Sequence, residues 1–533
     1  MDIPRMGVPA ELADRSLAEQ HEYLRGRFSR RTMIRGGAVT LGTVAGGVFV
    51  PGAAQAATSS ASSAAAAPVS ATAHIDGALV APFGRHLSYG DDARTEMTVS
   101  WQVAAPVKNP FIRIGASAGE LSRKISAEVR ALYTPAGVGT SADHTQYYVH
   151  AKLSRLKPGR TYYYGVGHDG FDPASPKFAS TVGTFTTAPA TARPFTFTAF
   201  GDQGVSYHAL ANDSLILGQG PAFHLHAGDI AYADPSGSGT TKDTFDARTW
   251  DQFLAQTETV AKSVPWMVSY GNHDMEAWYA PHGYGSQQAR FEPPANGPDP
   301  ENLPGVYSFV HGNTAVVSLD ANDVSWEIPA NLGLSGGTQT TWFENQLKKF
   351  RAAGSGIDFV VVFFHHCAYC TATSHASEGG VRKEWVPLFE KYTVDLVING
   401  HNHVYERSDV LKGEKVTKEL PIGGTAYPET DGVVYVTAGA AGKSLYAFPV
   451  ADTYEGNEKD IDPFASYVTQ EDGSKKAVTV DWSRVRYTNY SFLRVDVQPA
   501  PVGRTATLTV RGLAETGAEI DRFVVARKVR GRR

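Results

Sequence analysis

Hydrophobic and polar positions follow one another along this chain in two different rhythms. Between residues 79 and 187, apolar side chains come in short runs at every second position, as in Met97-Thr98-Val99-Ser100-Trp101-Gln102-Val103, and Gly, Pro and Asp separate the runs. A period of two sends alternate side chains to opposite faces of a strand, so this stretch predicts an all-β sandwich. Past Pro194 the rhythm changes. Apolar runs at 195–200, 222–227, 266–270, 315–319, 359–364, 396–398 and 433–437 read as strands, and 249–261, 339–352 and 381–392 read as helices between them. Such alternation predicts an α/β layered domain, with ligand chemistry on loops at the carboxyl ends of the strands. Two or three further strands within residues 484–525 close the chain and are expected to join a sheet of this same domain. No internal repeat is evident.

The amino-terminal stretch belongs to neither rhythm. Ser29-Arg30-Arg31-Thr32-Met33-Ile34-Arg35 precedes an uncharged segment over 36–50, followed by Ala54-Gln55-Ala56. Five glycines in residues 36–50 make a poor helix. Residues 1–56 resemble a twin-arginine export signal cleaved near Ala56, which implies a secreted protein. Residues 57–77 are an Ala/Ser-rich linker that cannot bury enough apolar surface to order itself. The ordered units are then expected at 78–189 and 190–533.

Composition narrows the classes further. A chain of 533 residues is too long for one ordinary domain, and 42% hydrophobic with 19% charged residues are globular proportions. The net charge of -5 offers no electrostatic case for nucleic acid as a structural partner. No run of 18 apolar residues predicts a membrane span in the mature chain. With two cysteines, Cys367 and Cys370, no disulfide framework supports the fold.

The candidate chemistry lies at the ends of the strands. The run 195–200 leads into Gly201-Asp202-Gln203-Gly204, 222–227 into Gly228-Asp229-Ile230-Ala231-Tyr232, and 266–270 into Gly271-Asn272-His273-Asp274. Val362-Phe363-Phe364-His365 and Gly400-His401-Asn402-His403 follow. One Asp after Gly is ordinarily a turn residue. Five such blocks at successive strand ends offer two Asp, a Tyr, an Asn and three His, a hard O/N donor set without thiolate that suits iron, zinc or manganese. Two close metal ions clamp a phosphoryl group for in-line displacement.

Taken together, the five blocks resemble the purple acid phosphatase branch of the metallophosphoesterases. Gly204 and Tyr232 carry the distinction, since calcineurin-like relatives place a His in a D-x-H block and lack the Tyr. The resemblance implies a four-layer α/β sandwich behind a fibronectin type III-like domain. Lys157-Pro158-Gly159-Arg160-Thr161-Tyr162-Tyr163-Tyr164-Gly165-Val166 resembles a late strand of that type, and Trp101 an early core tryptophan. It also implies a binuclear centre of Fe(III) plus a divalent ion (Fe, Zn or Mn). Asp202, Tyr232 and His403 would hold the first metal, Asn272, His365 and His401 the second, and Asp229 would bridge them.

Some matches are looser. His273 resembles the family's phosphate-contacting histidine, while His375 and Glu378 lie where it places further substrate groups; His375 could equally be a solvated loop residue. His366 beside His365 leaves the register of that block open, although the spacing from Val362 favours His365. Tyr405, Glu406 and Arg407 read as supporting structure, and His224 and His226 as core or as support behind the ligands. Cys367-Ala368-Tyr369-Cys370 departs from the family pattern and reads as a local disulfide, packed thiols or a redox pair.

The expectation is therefore an exported hydrolase of small phosphate monoesters with a metal-bridging hydroxide as nucleophile. A phosphodiesterase acting on nucleotide, phospholipid or cell-wall diesters is the alternative within the superfamily. A surface protein with a vestigial metal site is the alternative outside it.

Overall fold

The structure, a computed structural model, describes residues 76–375, 377–458 and 462–529. The expected export signal and nearly all of the linker lie outside the described residues. Among those described, no helix is long and apolar enough to cross a membrane.

The first unit is all-β, as its period-two pattern predicts. One antiparallel sheet orders Phe83–Tyr89, Met97–Val103, His144–Leu153 and Glu128–Thr134; the other orders Arg123–Ser126, Phe111–Gly115, Thr161–Gly167 and Gly183–Thr186. Met97, Val99, Trp101 and Val103 pack with Ile112, Ile114, Tyr164, Val166 and Phe185 in one apolar cluster. This unit grips the next one. Gln102 and Gln146 both donate to Asp251, Arg85 pairs with Glu258 at 2.6 Å, and the Tyr164 hydroxyl donates to the Lys262 carbonyl. All three partners lie on or at the end of the helix Arg248–Ala261.

Two seven-stranded sheets form the second unit. The first runs Trp266–Ser269, His224–Ala227, Phe195–Phe200, Ser491–Gln498, Thr505–Ala514, Glu519–Lys528 and Thr425–Ala426. The second runs Tyr307–His311, Thr314–Ser318, Phe359–Phe364, Leu396–Asn399, Tyr435–Ala438, Tyr405–Ser408 and Ser483–Tyr487. The strand Phe359–Phe364 shows why they stack: Phe359, Val361 and Phe363 join the cluster between the sheets, while Val360, Val362 and Phe364 join the one beneath the helix Thr338–Arg351. A strand buried on both faces has no polar positions, hence its unbroken apolar run. Helices Tyr207–Gln219 and Arg248–Ala261 cover the first sheet, completing four layers.

Three details differ from the sequence expectation. The helix expected over 381–392 is two short helices, Gly379–Glu384 and Val386–Lys391, because Pro387 has no N–H to continue the first. The helix Tyr207–Gln219 was not foreseen. Its buried face is Ala209, Asn212, Asp213 and Ile216, so two of four inward positions are polar and the apolar period is masked. Lastly, four closing strands are present and they divide: Ser483–Tyr487 edges the second sheet and the other three extend the first. Between the sheets, Arg407 pairs through two nitrogens with Asp521 at 2.6 and 3.0 Å, both fully buried, and Tyr405 donates to the same carboxylate. Glu406 accepts from Thr371, so the Tyr405–Arg407 triplet is supporting structure.

Candidate metal centre

The strands Phe195–Phe200, His224–Ala227 and Trp266–Ser269 are parallel neighbours, as are Phe359–Phe364 and Leu396–Asn399 in the other sheet. Their carboxyl ends therefore deliver all five blocks to one rim of the sandwich. Eight non-glycine residues among those described have positive φ, and four of them, Asp202, Asp229, Tyr232 and His401, are candidate ligands. Each such residue costs about 1–3 kcal/mol, and strain of this kind gathers where a site dictates backbone direction. The glycines serve close approach. A Cβ on Gly400 would stand 2.5 Å from the Ala227 carbonyl and 2.7 Å from Asp202 Oδ2, and one on Gly228 would stand 2.7 Å from His365 Nδ1.

One group of donors surrounds His365. Its Nδ1 lies 2.9 Å from the Ala227 carbonyl, which can only accept, so Nδ1 carries the proton and Nε2 faces the pocket. Around Nε2 stand Asn272 Oδ1 at 3.1 Å, Asp229 Oδ2 at 3.2 Å and His401 Nδ1 at 3.2 Å. The Asn272 amide nitrogen donates to the Gly237 carbonyl, which turns its oxygen inward. Four acceptor atoms converging in a buried pocket repel one another unless a cation lies among them. Burial pushes the pKa of the His365 ring down, but the Asp229 carboxylate beside it outweighs burial and raises it to about 10, so this point of the pocket favours positive charge. Asp229 itself is held well below the usual carboxylate range, its burial being outweighed by His365 and His273.

The second group is Asp202, Tyr232 and His403. The Tyr232 hydroxyl lies 3.1 Å from Asp202 Oδ1 and 2.8 Å from His403 Nε2. His403 Nδ1 donates to the Ser444 carbonyl at 2.6 Å, again leaving Nε2 for the pocket. Asp202 Oδ2 is buried without any hydrogen-bond partner among the described residues. An orphaned carboxylate oxygen in a dry pocket is costly unless a cation meets it. Burial, then the Asp202 and Asp229 charges, push the Tyr232 phenol well above its usual value, so only a strongly charged cation would turn it into a phenolate. The residues present thus fit two metal ions.

Other expected residues fall into place unevenly. The backbone N–H of His273 donates to Asp229 Oδ1 at 2.9 Å, its Nδ1 donates to the Asp234 carbonyl, and its Nε2 stands 3.7 Å from Asp229 Oδ2. His375, a quarter exposed, packs its ring 4.2 Å from that of His401. His365, not His366, faces the pocket; the buried His366 ring lies 4.3 Å behind His401. Glu378 is a correction. Its carboxylate is turned away to accept the N–H groups of Trp326, Glu327 and Gly380, so it caps the helix Gly379–Glu384 rather than meeting substrate. Both cysteines of the C-x-x-C pair are free and buried in the structure, with Cys367 Sγ donating to the Gly400 carbonyl at 2.9 Å. His224 and His226 are core, the former stacked on Trp266 at 4.0 Å.

Four residues at the site escaped sequence reasoning. Asp274 accepts the N–H groups of Asp229, Ile230 and Gly271, tying two ligand loops together. Tyr446 stacks on His403 at 4.0 Å, and the Lys443 ammonium lies 4.1 Å over the Tyr232 ring. Glu327 reaches both His375 and His401. Only Asp274, adjoining Asn272-His273, carried a signal in the sequence.

Comparison with known proteins agrees with this geometry. The family model described as "Purple acid Phosphatase, N-terminal domain" matches residues 82–187, and "Calcineurin-like phosphoesterase" matches 195–405. An uncharacterized protein of Mycobacterium tuberculosis is 32% identical over 83% of this chain and 87% of its own length. Acid phosphatase type 7 of Mus musculus is 28% identical over 68% of this chain and 78% of that protein. Purple acid phosphatase 15 of Arabidopsis thaliana is 29% identical over 49% of each. Among solved structures, purple acid phosphatase PPD1 from yellow lupin seeds superposes with a TM-score of 0.62 at 19% identity, covering 84% of this chain and 75% of that one, which shows the fold.

Proposed function

Because this chain belongs to the purple acid phosphatase family and is a phosphoric ester hydrolase with that family's binuclear metal centre, we propose that it is an exported phosphatase of small phosphate monoesters. The observation that carries the reading is the pair of donor groups, one with four converging acceptors and one with an orphaned Asp202 oxygen. Asp202, Tyr232 and His403 would hold Fe(III), Asn272, His365 and His401 a divalent ion of iron, zinc or manganese, and Asp229 would be shared. When bound, the two ions supply positive charge to a phosphoryl group and acidify a water.

The chain's own residues do the rest. His273 has its Nδ1 proton committed to a backbone carbonyl and its Nε2 on the Asp229 side at 3.7 Å, so it is placed to meet a phosphoryl oxygen or the leaving group. His375 stands at the mouth on the His401 side. Lys443, whose ammonium has no carboxylate within ion-pair distance among the described residues, adds a positive charge near Tyr232. That charge favours a dianionic monoester over a monoanionic diester.

The test is a pair of model substrates. Purified, metal-loaded protein should hydrolyse p-nitrophenyl phosphate faster than bis(p-nitrophenyl) phosphate, and the reverse order would make it a diesterase. Export rests on Arg30-Arg31 and Ala54-Gln55-Ala56. Replacing both arginines with lysine should retain the protein inside the cell, and the secreted form should begin near Ala57; unchanged secretion removes the twin-arginine route.

A further inference from the structure

His401 differs from the other two candidate ligand histidines in what holds it. His365 and His403 each give the Nδ1 proton to a backbone carbonyl. His401 instead lies 3.3 Å through Nε2 from Oε2 of Glu327, a carboxylate in the loop that follows Asp323. The other oxygen of that carboxylate, Oε1, is 2.9 Å from His375 Nδ1. A carboxylate only accepts, so both rings donate to it. The proton on His401 Nε2 leaves Nδ1 bare, 3.2 Å from His365 Nε2, facing the pocket. Glu327 thus fixes which nitrogen of His401 is offered to a metal and where His375 stands.

The carboxylate is itself held. Glu378 accepts the N–H of Trp326 at 2.9 Å and of Glu327 at 3.2 Å, so the loop is tied to the segment that carries His375. On the far side the Tyr446 hydroxyl lies 3.3 Å from His375 Nε2, and its ring stacks on His403. A continuous chain of contacts therefore runs from Glu378 through Glu327 and His375 to Tyr446, touching a ligand of each donor group.

We propose that Glu327 is a positioning residue that couples the candidate ligand His401 to the substrate-facing His375 through one shared carboxylate. This rests on the two-metal phosphatase reading. An outer carboxylate on a ligating histidine sets ring orientation and basicity, and its loss typically weakens metal binding. Glu327→Gln keeps the shape but has a single acceptor oxygen, so it can satisfy only one of the two rings and presents an N–H to the other.

Zinc titrated into metal-free protein should bind the second site of Glu327→Gln roughly 10–100-fold more weakly than in wild type. In the iron-loaded variant, the visible charge-transfer band expected of a Tyr232 phenolate on Fe(III) should be unchanged. Turnover of p-nitrophenyl phosphate should fall, and a Glu327→Gln/His375→Ala pair should lose less than the sum of the two single losses, because both act through one link. Should the glutamine variant not fold, Glu327→Asp, which keeps the charge on a shorter arm, is measured by the same zinc titration and should also bind more weakly. Wild-type zinc affinity in a folded variant, or strict additivity, overturns the coupling. A wild type that binds fewer than two ions overturns instead the reading beneath it.

Discussion

In one half of the centre His403 rests its Nδ1 on the Ser444 carbonyl and its ring face on Tyr446, while in the other half His401 leans on the side chain of Glu327. His365, although it belongs to the same half as His401, is backbone-held through Ala227. Of the two carbonyls, that of Ala227 ends a strand and that of Ser444 lies in a loop, so His365 alone leans on the sheet itself. A ring tied to a side-chain carboxylate depends on the placement of that side chain as well as of the backbone that carries it. The second half therefore holds one ring, His401, through a side chain that also meets His375, whereas in the first half the Nδ1 of His403 is held by backbone.

Breaking the carboxylate proposed to serve both halves should have the largest effect. Asp229→Ala removes a carboxylate that touches His365 and accepts from the His273 backbone, so turnover should fall by more than the roughly 10²–10³ of a single lost electrostatic donor. Metal analysis should show fewer than two ions per chain; two retained ions would mean that Asp229 is not shared.

Splitting the halves is the sharper comparison. His401→Ala should leave one ion and the visible band, while His403→Ala should lose the band, as followed by metal analysis with absorption on the same preparations. Loss of both ions from His401→Ala would show that the halves do not load independently.

His273→Ala should spare both ions and lower turnover by a factor of roughly 10², the size of a lost general acid or electrostatic contact. Metal lost along with activity would make His273 a ligand. Lys443→Met should act least, raising KM for a monoester by roughly two- to five-fold, as a single partly exposed charge does, with diester KM unmoved. Equal effects on both esters would remove Lys443 from the discrimination between them.

Much of this site was legible because each block is local: an apolar strand, a glycine, then a ligating residue, all within a few positions. Glu327, Lys443 and Tyr446 arrive through tertiary folding and carry no spacing that ties them to the blocks. Glu378 misled for a related reason. Its distance from His365 in sequence suits a substrate group, yet it is the N-cap of a short helix, and that local role turns the carboxylate toward backbone N–H groups. In the fold, the two rhythms separated the sandwich from the layered unit. The helix Tyr207–Gln219 stayed hidden because Asn212 and Asp213 fill its inner face, Asn212 donating to the Ala441 carbonyl and Asp213 accepting from Gln203. The division of the closing strands was equally invisible, since Ser491–Gln498 pairs with a strand some three hundred residues earlier.

Tyr232 carries the most direct test of the central claim, that the half formed by Asp202, Tyr232 and His403 holds Fe(III) through a phenolate. Its hydroxyl stands between Asp202 and His403, and its ring packs against His273 at 4.4 Å. The absorption spectrum of iron-loaded wild type should contain a visible ligand-to-metal charge-transfer band. Tyr232→Phe, which keeps the ring and removes the oxygen, should lose that band while remaining folded. A colourless, iron-free and fully active wild type, or a band that survives in Tyr232→Phe, would contradict the account.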